Sequence, residues 1–182
     1  MTNILYVVGA RNFTQNNHMR KIAEVISVWE KVDVKVFTQF GGDIIKSKKL
    51  NESFGSQNYH DKFYRKSKVF GFFINSLSEI KDILHNWQLY KKVKNKFIEK
   101  DLNLVWERSS RLHWAGLRLA KSKNIPFVLE WKDHLIDYDY SLFHWLAKKI
   151  ESYKIKESNY IVVESNVLKK ELINLGVPND KI

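Results

Sequence analysis

From Leu102 to Glu130 the chain reads LNLVWERSSRLHWAGLRLAKSKNIPFVLE, which is a strand, a turn, a helix, a turn and a second strand in sequence. Leu102, Leu104, Val105 and Trp106 form a short apolar run of the kind buried on both faces of a parallel sheet, and Phe127, Val128 and Leu129 form another after Ile125-Pro126. Two parallel strands joined this closely require a helical crossover, so the stretch predicts a βαβ unit. Leu112, Ala115, Gly116, Leu119 and Ala120 recur at three-and-four spacing and give the helix one apolar face, with Ser109 or Ser110 expected to cap it. Gly116 is expected to let the helix lie close to the sheet. Glu107 and Arg108 leave the first strand and Glu130 leaves the second, at the rim where open α/β sheets hold their ligands.

The same alternation extends both ways. Ile4 to Val8, ended by Gly9, predicts the first strand; Met19, Ile22, Ala23, Ile26 and Trp29 predict a helix; Val32 to Thr38 predicts the second strand. The segment from Gly41 to His60 reads as irregular surface, Tyr59 to Tyr64 carries a faint third strand, and Val69 to Ile74 reads equally as strand, helix start or aromatic loop. Ser76 or Ser78 is expected to cap a long helix toward Lys100, with Ile80, Ile83, Leu84, Trp87, Tyr90 and Phe97 inward and Lys81, Lys92 and Lys96 outward. A helix through Leu142, Trp145, Leu146, Lys149, Ile150 and Tyr153 follows, then a strand at Tyr160 to Val163. A last helix is capped by Ser165 or Asn166 and stopped by Gly176, and Lys181-Ile182 begins a further strand. The fold class this defines is α/β: a doubly wound, mostly parallel Rossmann-like sheet with helices on both faces, in a single unit over 1–182.

Composition narrows the chemistry. The 182 residues include no cysteine, which excludes a disulfide framework, a thiolate metal site and a cysteine nucleophile and fits a reducing cytoplasm. No apolar run exceeds about six residues, against the roughly 20 that span a bilayer, and no basic stretch precedes Ile4, so no signal peptide is expected. The loop GARNFT after the first strand lacks the second and third glycines of a dinucleotide fingerprint, so no nicotinamide cofactor is expected. Net charge is +11, and between Lys46 and Lys100 thirteen Lys or Arg face five Asp or Glu. Such an excess attracts nucleic acid, phosphorylated substrates or anionic lipid.

The run VWERSSRLHWAGLRLAKSKNIPFVLEW, followed by KKIESYKIKESNYIVVESNVLKKELINLGVPNDKI, resembles the N-terminal half of family-4 retaining glycosyltransferases of the GT-B fold. There a Glu-Arg pair ends one strand, a Pro-led strand ends in Glu, and a segment of the form VVVS, LK, L, GVP, KI follows. The resemblance covers Asn103 to Ile182 in good register and the first forty residues more loosely. It implies transfer of a sugar from a nucleoside-diphosphate sugar to a glycan or lipid-linked acceptor with retention of configuration, without a metal. It also implies that 1–182 is the acceptor-side domain, with the C-terminal donor-binding domain absent from this chain. On that reading the chain by itself neither turns over nor tightly binds a nucleotide-sugar, holds no cofactor, and works in the cytoplasm or peripherally on the inner membrane face.

Glu107, Arg108 and Glu130 are the expected substrate-binding residues at the rim, joined by Arg11, Asn12 and Thr14 in the first loop, whose amides precede a helix and suit an anion. The competing role for the first three is mutual charge satisfaction. Where many family members carry His-Asp this chain has Lys132-Asp133, so Asp133 and the neighbouring His134 are the remaining catalytic candidates. Asp133, His134, Asp137 and Asp139 are too loosely spaced for a metal site. A different class of function, a non-enzymatic basic α/β module docking nucleic acid or a protein partner, fits the lysines and aromatics between Tyr59 and Phe97 but brings no RNA-binding motif with it.

Overall fold

The computed structural model describes residues 2–8, 22, 25–26, 28–38, 44–46, 68–97, 101–132 and 142–182, with the backbone alone at 35–38, 44–46, 68–75, 78 and 96. Among the described residues six strands are ordered β3-β2-β1-β4-β5-β6: β1 (Thr2–Val8), β2 (Val32–Thr38), β3 (Ile44–Lys46), β4 (Leu104–Arg108), β5 (Phe127–Trp131) and β6 (Tyr160–Val163). All neighbours pair in parallel except β3, which runs antiparallel to β2 at the sheet edge. Of the segment 41–60, expected to be irregular, the described residues 44–46 form a short strand, too brief and too flanked by lysine to announce itself by periodicity. The expectation of a strand at Tyr59 to Tyr64 falls outside the described residues.

Among the described residues, four helices have both ends defined: α1 (Lys68–Phe97), α2 (Ala115–Lys123), α3 (His144–Glu157) and α4 (Asn166–Asn174). Alternation along each strand divides the core into two layers. Leu5, Val7, Val105, Phe127, Leu129 and Trp131 point to the face covered by α1, α2 and α4 through Leu89, Val93, Phe97, Leu117, Leu119, Leu168 and Leu172. Ile4, Tyr6, Val8, Trp106 and Val128 point to the other, where Ile22 and Ile26, both helical, pack. Trp29 lies beyond that helix in a turn, its ring tilted against Trp106 at 6.4 Å.

Several boundaries differ from the sequence reading. The aromatic run Val69 to Ile74 is the first part of α1, so Ser76 lies inside the helix and neither it nor Ser78 is a cap. Of the residues expected inward on α1, Phe97 is buried and Tyr90 packs on the core, but Ile80, Leu84 and Trp87 are exposed while Glu79 and Asn86 are fully buried. Ser109 and Ser110 do not cap α2, whose first residue is Ala115. Asn124 ends α2 in the left-handed conformation, φ 52°, and Gly176 closes α4 at φ 86°. Ser165 does cap α4, accepting from Leu168 N at 3.3 Å, and the expected final strand is a turn of 3-10 helix, Asn179–Lys181.

Candidate functional site at the strand ends

The order of strands reverses between β1 and β4, and at this point open α/β sheets bind ligands beyond the strand carboxyl ends. Glu107 and Arg108 are the last two residues of β4, not a loop beyond it, and Glu130 lies within β5. Adjacent strand residues face opposite sides, so the pair serves two separate networks.

Glu107 faces the helical layer. One carboxylate oxygen accepts from Gly116 N at 2.8 Å and Leu117 N at 3.3 Å, and the other takes the Lys154 ammonium at 2.5 Å. Both side chains are about 1% exposed. A carboxylate on the first amides of α2 sits at the positive end of the helix dipole, and Lys154 balances its charge from α3. Gly116 makes this approach possible, since a Cβ there would lie 3.2 Å from both Cβ and Cδ of Glu107 and closer still to its carboxylate. Asn86 completes the cap: its side-chain oxygen accepts from Ala115 N at 3.2 Å while its amide donates to Leu112 O at 2.5 Å. That bond holds Leu112 in the left-handed region at φ 61°, a conformation that costs a leucine about 1 kcal/mol. Glu79 treats α3 the same way, accepting from Leu142 N at 2.9 Å and Phe143 N at 3.2 Å while pairing with Arg111 at 3.3 Å. Buried beside Glu107 and Lys154 is His113, whose imidazole is pushed down to about 4, chiefly by burial; Glu107 opposes the shift and Lys154 adds to it.

Arg108 faces the other layer and joins four strand ends. Its guanidinium donates to Glu130, its direct cross-strand neighbour, and to Glu164 at 3.2 Å just past β6, while Tyr6 of β1 donates its hydroxyl to the other oxygen of Glu130 at 2.8 Å. Burial pushes the Tyr6 phenol up, with Arg108 working against the shift and Glu164 adding to it. Arg108 and Glu130 are buried, whereas the Glu164 side chain is 47% exposed. One guanidinium thus faces two carboxyl groups, and its charge is spent within the protein. The accessible edge of this network offers carboxylate acceptors, which suits sugar hydroxyls better than a phosphate. Nearby, the Trp106 indole N–H is buried and has no partner among the described residues, its ring edge-on to Tyr6 at 6.4 Å.

Sequence reasoning placed Glu107, Arg108 and Glu130 at one end of the sheet, and there they lie. It did not foresee that the first belongs to a different layer from the other two, or that Tyr6, Lys154 and Glu164 join them. Tyr6 in β1 and Glu164, one residue past β6, sit where alternation could have aligned them with Arg108; nothing in the sequence marks Lys154. Arg11, Asn12, Thr14, Asp133 and His134 fall outside the described residues. Among the described residues no group of three or more His, Cys, Asp or Glu is arranged to hold a metal.

This is a Rossmann-like unit of the GT-B kind, with a polar rim at its switch point. The sequence profile of Glycosyltransferase Family 4 matches residues 17–182, and the chain belongs to that family. Solved structures with the same fold include UDP-GlcNAc 2-epimerase from Neisseria meningitidis bound to UDP-GlcNAc, 14% identical with a TM-score of 0.56 over 99% of this chain and 45% of that one. The Methanocaldococcus jannaschii enzyme is 15% identical with a TM-score of 0.56, covering 100% of this chain and 44% of that one. For the Rickettsia bellii enzyme the values are 17% and 0.54, over 100% and 43%. The chain therefore spans less than half the length of these relatives. No curated protein matches its sequence.

Proposed function

We propose that this chain is the acceptor-side unit of a retaining glycosyltransferase, which moves a sugar from a nucleoside-diphosphate sugar to a hydroxyl of a glycan or lipid-linked acceptor, as in cell-surface polysaccharide synthesis. Membership of Glycosyltransferase Family 4 across residues 17–182 carries the reading. The geometry adds a division of labour. Arg108 holds Glu130 and Glu164 at the strand ends, and Glu164, the exposed member, is the acceptor-hydroxyl ligand. Glu107 is a positioning residue: with both oxygens engaged by Lys154 and the α2 amides, it fixes the height of β4 and the start of α2. The unit that binds the donor diphosphate belongs to another part of the enzyme.

The test uses the enzyme with both halves present. Glu164→Gln should raise the acceptor KM by about tenfold, the effect of one charge-assisted hydrogen bond worth roughly 1.5 kcal/mol, while leaving the donor KM and the melting temperature unchanged. An unchanged acceptor KM, or an equal rise in the donor KM, refutes the assignment.

A further inference from the structure

Leu77, Ile80, Leu84 and Trp87 of α1 are 68%, 42%, 58% and 44% exposed. Their spacing of three, four and three residues places them on a single stripe, opposite the face on which Glu79, Asn86, Leu89, Val93 and Phe97 are buried. The helix is thus inverted relative to ordinary amphipathicity, since part of its polar set caps other helices and part of its apolar set faces out. One helical turn further on, the stripe continues as Lys91 and Lys94, with Lys81 and Lys92 beside it, all exposed. The only acids in α1 are Glu79, which is buried, and Asp82, which Arg111 approaches at 3.6 Å. Trp87 packs edge-on against Trp114 at 4.9 Å, and Arg118 lies 5.0 Å from the Trp87 ring centre. Trp114 and Arg118 in turn line a groove of about 690 Å³ toward Trp145 of α3, itself 58% exposed.

We infer that this surface docks the protein on an anionic lipid bilayer, α1 lying in the plane of the interface with the stripe in the acyl boundary. Leucine and isoleucine supply the apolar burial, the exposed Trp87 and Trp145 have the amphipathic rings that favour the headgroup level, and the lysines meet anionic headgroups. A second copy of the chain fits less well. Its four exposed apolar side chains along about 15 Å of helix are far fewer than the roughly 20–30 residues a side of a stable interface, and like-charged lysines border them. No helix among the described residues is long and apolar enough to cross a membrane, so the contact is with one leaflet. The stripe belongs to α1, which packs on the sheet face opposite the one Arg108 points to, and its test reads no activity, so it stands or falls independently of the proposed transfer reaction.

Flotation with phosphatidylcholine vesicles, with and without about 30% phosphatidylserine, tests the inference. Binding should rise at least about tenfold with the anionic lipid and fall as salt approaches about 0.5 M, where screening shortens to a few ångströms. Leu77→Glu and Leu84→Glu, both at exposed positions, should each weaken it about tenfold with an unchanged melting curve. Equal binding to neutral and anionic vesicles overturns the inference. So does binding that survives both substitutions, or a concentration-dependent dimer in sedimentation that Leu84→Glu abolishes while vesicles go unbound.

Discussion

Replacing Lys154 by Met keeps the length and apolar stem of the side chain and removes only its charge. In the native protein the ammonium sits 2.5 Å from Glu107, with both residues about 1% exposed. Without it the Glu107 carboxylate stays buried, retaining two amide donors from Gly116 and Leu117 but no counter-charge. Breaking one side of a buried ion pair costs about 3–5 kcal/mol. The remaining amides and the helix dipole hold part of the charge, which places the expected loss near 3 kcal/mol. For a domain of this size that lowers the melting temperature by about 6–12 °C. Urea denaturation followed by circular dichroism measures the loss directly. The double variant Glu107→Gln with Lys154→Met removes both charges while preserving one acceptor for the α2 amides, and should recover at least about 1 kcal/mol relative to Lys154→Met. A Lys154→Met protein as stable as wild type, or a double variant no better than the single, would refute the view that this pair holds α2, β4 and α3 together.

Two further outcomes follow from the same neighbourhood. Gly116→Ala drives a Cβ into the Glu107 carboxylate, which Lys154 keeps from swinging away, so the variant should lose about 2–4 kcal/mol where an ordinary helical Gly→Ala gains stability; a stabilised variant in chemical denaturation argues against the close approach. His113, held near 4 against 6.5 in the unfolded chain, stays neutral while the unfolded state takes up a proton. Stability from this group is therefore complete above pH 6.5 and is lost as pH falls toward 4, by about 3 kcal/mol in total. His113→Gln should flatten that part of the stability profile, and an NMR titration placing the His113 midpoint near 6.5 would disprove it.

The alternation of short apolar strands with helical spacing was enough to define the α/β class, the positions of β1, β2, β4, β5 and β6, and the closure of α4 by Ser165 and Gly176, because each of these is a local property of period, cap or turn. The order of VWER, Gly116 and the Pro-led strand ending in Glu130 was enough to point to the family and to bring three charged residues to one rim. What local reading could not supply was the origin of the helix caps. Trp114 and Phe143 stand where α2 and α3 begin, and neither side chain accepts from the helix amides. Asn86, Glu107 and Glu79 do so from elements up to 64 residues distant. That borrowing reverses the apparent faces of α1. Its buried polar residues are satisfied only once α2 and α3 are in place, and a sequence pattern that scores them as solvent-facing sends Ile80, Leu84 and Trp87 inward in their stead. Likewise the sequence shows Glu107 next to Arg108, but the strand pleat separates them into two layers, and only cross-strand register joins Arg108 to Glu130 and Tyr6. Periodicity is written in the chain; the satisfaction of a buried charge depends on which distant backbone amides and ammonium groups the fold brings within 3 Å of it.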